Sequence, residues 1–73
     1  MAYKLRDTIE FIVAIVNEFA VRHNLSDRQS YRYISFHNGI SFIKENYGIM
    51  HTLDFSEAVD SVALFCRKSG GVL

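Results

Sequence analysis

Proline and tryptophan are absent from this 73-residue chain, cysteine occurs once, and glycine occurs four times. Without proline, no position locks φ or deletes a backbone donor, so helices can run between the glycines at 39, 48, 70 and 71. The single thiol, Cys66, cannot close an internal disulfide, which suits a reducing, cytoplasmic setting. An excess of either charge is also missing. Eight basic and eight acidic residues cancel, so no whole-molecule field draws in nucleic acid or an anionic membrane. The apolar run from Phe11 to Val16 ends at Asn17 and Glu18, far short of the roughly 20 residues that cross a bilayer. No apolar stretch of the signal-peptide kind precedes Asp7 and Glu10. Internal repeats and low-complexity segments are lacking as well.

What is present is apolar: hydrophobic residues make up 49% of the chain and aromatics 14%, too much for intrinsic disorder. The length allows one domain, read as a helical unit over 1–73 with its core at about 5–68 and a frayed tail at 69–73. By surface scaling, apolar burial contributes on the order of 110 kcal/mol and ordering the chain costs about the same. A chain in this balance gains from close packing, a partner or a second copy.

Periodicity places helices. Leu5, Ile9, Ile12, Val13, Val16, Phe19 and Ala20 recur at steps of three and four, with Asp7 and Glu10 as a capping-box-like start, the helix beginning there or a residue or two earlier, and His23-Asn24 as an end. Phe11 and Ile15 widen this face beyond one stripe, as expected of a helix central in a bundle or shared with a partner. Ser26 with Gln29 forms a capping box for a second helix, with Leu25 as a staple, Tyr31, Ile34 and Phe36 turned inward, and Asn38-Gly39 as its end. A short third helix is expected over 40–47, closed by Gly48 and followed by a connector over 49–53. Asp54 with Glu57 opens a last helix to Lys68, stopped by Gly70-Gly71. No segment alternates as a strand does. The fold class is all-α, a small bundle of three to four short helices.

The order of motifs is itself informative. An apolar opening helix, His23-Asn24-Leu25-Ser26, Tyr31, Gly39-Ile40-Ser41-Phe42-Ile43 and Asn46-Tyr47-Gly48-Ile49-Met50-His51-Thr52 follow one another. In this, residues 7 to 68 resemble a family of small bacterial proteins grouped as a domain of unknown function. The family carries a Tyr-x-x-Leu-His-Thr signature before its last helix. Here the signature reads Tyr47-Gly48-Ile49-Met50-His51-Thr52, with methionine in the leucine place. The resemblance implies gene neighbours encoding ADP-ribosyltransferase-like proteins, and with them a toxin–antitoxin-like or accessory role. The segment after the signature, Leu53 to Val59, departs from the family's usual Gly-Glu-x-Tyr-Ile-Val stretch.

Residues of a type that can carry chemistry have plain alternatives. His23, His37 and His51 stand fourteen apart, each near a helix end, without the close ligand pair of a zinc site. Histidine at a helix end has an ordinary structural use, since its charge complements the dipole and its ring fills the corner. Neither a metal nor a cofactor is therefore expected. His51 is the one candidate base, but a cap from Thr52 or Asp54 and a backbone bond from His51 explain that segment without catalysis. Cys66 lies on the apolar stripe of the last helix, where a thiol is inert. The expectation is a non-enzymatic protein-interaction module that binds another protein or itself, as a homodimer, through helices one and four. Its outward anchors would be Phe11, Ile15 and Tyr33, rimmed by Arg28 and Arg32. The alternative is a DNA-binding regulator using helices two and three, with Arg28, Arg32 and Lys44 on phosphates.

Overall fold

In a computed structural model, which describes residues 4–72, four helices account for most of the chain. They are α1 (Leu5–Arg22), α2 (Asp27–Phe36), α3 (Gly39–Met50) and α4 (Phe55–Lys68), and no strand occurs among the described residues. The fold is all-α. Helix α1 packs against all three others, α2 lies on α3, and α3 lies on α4. One core collects Ile12, Ile15, Val16 and Phe19 from α1, Ile34 from α2, Ile43 and Met50 from α3, and Ala58, Val59, Val62 and Cys66 from α4.

The boundaries follow local chemistry. Ser26 Oγ accepts the Gln29 N–H at 3.1 Å while Gln29 Oε1 accepts the Ser26 N–H at 2.9 Å, a complete capping box. Two helices end in the same backbone device. After α1, Asn24 takes φ 55, Leu25 N–H reaches Ala20 O at 2.8 Å and Asn24 N–H reaches Val21 O. After α4, Gly70 takes φ 98, Gly71 N–H reaches Cys66 O at 2.9 Å and Gly70 N–H reaches Arg67 O. Both are Schellman closures, in which a left-handed residue lets the chain fold back and satisfy the last carbonyls. Asn38, at φ 64, plays the left-handed part between α2 and α3.

Several boundaries differ from those expected from sequence. Helix α1 starts at Leu5 after Lys4, two residues ahead of Asp7 and within the expected range, but with no side-chain cap. Helix α3 runs through the half-buried Gly48 to Met50. A mid-helix glycine costs about 1 kcal/mol, but the extra turn puts Met50, 3% exposed, into the core. Asp54 precedes α4 without a capping bond. Thr52 instead turns back, its Oγ1 donating to Ile49 O. Residues 69–71, expected to fray, form the closed turn after α4, and Gly71 lies against the hydroxyl end of Tyr33.

Candidate docking surface

The side of α1 that faces inward decides what is left outside. Ile12, Ile15, Phe19 and the half-buried Phe11 form the ridge against α2, α3 and α4. Ile15, expected as an outward anchor, has no exposed surface. It sits three residues after Ile12 and four before Phe19, on one side of the helix with both. Phe11 is not outward either: its ring meets Tyr47 edge-on at 5.3 Å and 75°. Leu5, Ile9 and Val13, read as core positions, form an exposed row at i, i+4, i+8 along α1, at 71%, 48% and 51% exposure.

On α2 the two tyrosines exchange places relative to expectation. Tyr31 is outward, about half exposed, whereas Tyr33 stacks on Phe19 at 5.5 Å and 25°. The Tyr33 hydroxyl is buried without a hydrogen-bond partner among the described residues. Burial and the nearby Cys66 thiol raise its pKa, opposed by Arg67. The reason for the exchange is Ser30. This buried serine donates to Val16 O at 2.8 Å, letting α2 lie close on α1 along the Ser30–Ile34 side and turning Tyr33 in. Phe36, expected inward, is 81% exposed. It continues the outer row of Arg28 and Arg32 at steps of four, all three solvent-facing.

Two apolar grooves result. One, of about 290 Å³, runs between α1, α2 and α3, lined by Ile9, Val13 and Val16, by Tyr31, and by Ile40 with Lys44 at its edge. Among the described residues Lys44 has no ion-pair partner. Beyond the α1 row, on the other flank, Glu10 pairs with Arg6 at 3.4 Å, both well exposed. The second groove, about 280 Å³, lies between α3 and α4 over the stacked Phe42 and Phe65 rings, 4.3 Å apart.

The three histidines share one arrangement. His23, His37 and His51 are the C-caps of α1, α2 and α3, and each ring packs on the aromatic residue four before it: Phe19, Tyr33 and Tyr47. His51 Nδ1–H also donates to Tyr47 O at 2.8 Å, and its ring lies flat on Tyr47 at 13°. Tyr47, Met50, His51 and Thr52 thus form one helix-closing unit, with Tyr47 against Phe11 and Met50 in the core. Among the described residues no three His, Cys, Asp or Glu side chains gather as metal ligands. Nor is any helix long and apolar enough to cross a membrane. Cys66 is fully buried, and desolvation pushes its pKa up to about 11.

Sequence reasoning also missed Arg22. Its guanidinium reaches across to α4, bonding the Asp60 carboxylate and both the hydroxyl and carbonyl oxygens of Ser56, with Glu18 on its own helix. Only its distance in sequence from α4 concealed it.

The fold and its surfaces define a small four-helix domain with an apolar groove and no clustered ligand set among the described residues. The family model described as "Protein of unknown function (DUF3791)" matches residues 10–69, and the chain belongs to that family. No curated protein and no solved structure matches it.

Proposed function

We propose that this chain is a non-enzymatic protein-interaction module whose docking surface is the α1–α2–α3 groove. The observation that carries the reading is the continuous apolar row of Leu5, Ile9 and Val13 running into Tyr31 beside that groove. Aliphatic side chains held open to water along one helix, with a tyrosine among them, are what a partner covers with most gain. The reading replaces α4, Phe11, Ile15 and Tyr33 by α1, α2 and α3 as the docking elements. The mechanism is helix-face packing oriented by charge, with no bond made or broken. His51 serves it only by closing α3. An accessory or antitoxin-like role in a reducing cytoplasm belongs to the same proposal, supported by the family resemblance and the lone buried thiol.

The test is a tagged pull-down from native lysate with wild type and Val13→Glu side by side. A stoichiometric protein, or a second copy, held by wild type and released by Val13→Glu supports the reading. A wild type that is monodisperse, monomeric and empty-handed refutes it.

One observation favours a second reading, a nucleic-acid binder: the exposed Arg28–Arg32–Phe36 row on α2. It predicts a mobility shift at low salt that falls steeply as salt rises. Lys44, its third phosphate contact, lies at the edge of the apolar groove, on α3, not on that α2 row.

A further inference from the structure

The groove is flanked by Lys44 on one side and by the exposed Arg6–Glu10 ion pair on the other, and this says what covers it. On the α3 side stands Lys44, with no ion-pair partner among the described residues. On the far side of the α1 row stands Glu10, next in sequence to Ile9 and turned about 100° around the helix from it. Ile9 lines the groove together with Lys44, so the cation and the carboxylate stand on either side of the apolar row.

We infer that the occupant is a second copy of this chain, joined by a two-fold axis running parallel to α1. This rests on the docking reading above and names its partner. Such an axis exchanges left and right flanks while keeping height. Each Lys44 then faces the Glu10 of the other copy, twice over, and the Leu5–Ile9–Val13 rows meet in register. An axis perpendicular to α1 would set each Lys44 against the Lys44 of the other copy, cation to cation, which costs affinity. A two-fold interface must be self-complementary, and this face carries both signs and the apolar row between them.

The area agrees. The exposed parts of Leu5, Ile9, Val13 and Tyr31 come to on the order of 400 Å² of apolar surface per copy, the size of the largest patch on a typical monomer, which is often functional. For the pair this is about 800 Å² before the Lys44 and Glu10 rims are added, the scale of the smaller, weaker interfaces. A formal charge of zero leaves no net repulsion between copies.

Sedimentation velocity of the full chain tests this. Wild type is expected to be dimeric at about 100 µM, and Val13→Glu monomeric with unchanged helical circular dichroism, since Val13 is outside the core. Glu10→Lys and Lys44→Glu each weaken association roughly tenfold, and the double exchange restores it. Direction is read by oxidation. Cys66 is buried, so an introduced thiol is the reactive one, and Leu5→Cys and Val13→Cys each cross-link to their own counterparts only if the helices run parallel. A wild type that stays monomeric at about 100 µM overturns the inference. So does a dimer indifferent to Val13→Glu or to the charge exchange, or one that cross-links at neither end. If the monomer nevertheless retains a different protein that Val13→Glu releases, the second copy is wrong and the docking reading stands. If it retains none, both fall.

Discussion

Tyr33 holds a buried hydroxyl that no acceptor among the described residues reaches, between Phe19, His37 and the Gly70-Gly71 turn. A buried hydroxyl without a bond loses its hydration and gains nothing in return. Tyr33→Phe keeps the ring and removes the orphan, so stability should be unchanged or rise by up to about 1 kcal/mol in urea unfolding. A loss of that size instead would mean that the hydroxyl has a partner. Cys66 is the other buried group with a shifted pKa. The folded state resists ionising this thiol up to about pH 11, whereas an unfolded thiol ionises near 9. Folding therefore retains the proton through that window, and the stability present below pH 9 falls as pH rises toward 11, by on the order of 2 kcal/mol. Tyr33, shifted upward as well, adds in the same sense. Denaturation midpoints followed from pH 8 to about 11 should show the slope, and Cys66→Ala should flatten it. At pH 8 the native thiol should resist a thiol reagent that reacts at once after unfolding.

At the scale of the element, each helix carries its own start or stop, and two tethers join helices across the bundle. The capping box at Ser26 satisfies two orphan donors of α2, the shortest helix. Ser26→Ala should cost about 1 kcal/mol, a fall of roughly 4–8 °C in Tm for a domain this size. Arg22 ties the end of α1 to the first turns of α4 through Asp60 and Ser56. Its side chain is 26% exposed but that of Asp60 is 67% exposed, so water screens part of the pair. Arg22→Ala should cost about 1 kcal/mol, and Arg22→Lys should recover only part, because an ammonium cannot match the guanidinium fork on two acceptors. The second tether is the Ser30 hydroxyl of α2 on the Val16 carbonyl of α1. The glycine at 39 shows how closely α2 and α3 approach: a Cβ there would meet Ile34 Cγ2 and lie 2.9 Å from the Ile34 carbonyl oxygen. The tight turn of Asn38 brings the two helices that near.

For the whole molecule, absence of proline has a kinetic consequence. Uncatalysed isomerisation of X–Pro bonds is the usual source of refolding phases lasting tens of seconds, and this chain has no such bond. Four helices joined by short turns pair mostly neighbours in sequence, a topology that folds in microseconds to milliseconds. Stopped-flow refolding at protein concentrations below the association range should be complete within the first second or less, without a slow phase. A tens-of-seconds phase would point to association or a trapped packing. The same balance governs stability. A domain this small gains little margin from its own core, and it leaves Leu5, Ile9, Val13 and Tyr31 open to water. Covering them adds to stability by mass action, which makes Tm dependent on protein concentration if the two-fold pair forms.

Much of this was legible along the chain. Periods of three and four set the helices, and the Ser26–Gln29 box, the left-handed asparagines and Gly70 set most of their ends, because these depend on backbone bonds made within a few residues. The place of Cys66 on the apolar stripe of α4 and the helix-end place of the three histidines belong to the same local chemistry. What the chain alone left open was rotation. α1 is apolar around more than half its circumference, so its period is satisfied equally by burying Ile9 and Val13 or by burying Ile15. Only packing against three other helices selected Ile15 and turned the Leu5–Ile9–Val13 row outward. Likewise Ser30, polar by type, became buried because Val16 offered a carbonyl at 2.8 Å, and that contact turned Tyr33 in and left Tyr31 at the groove. The core determined which apolar residues were surplus, and the candidate docking surface consists of that surplus.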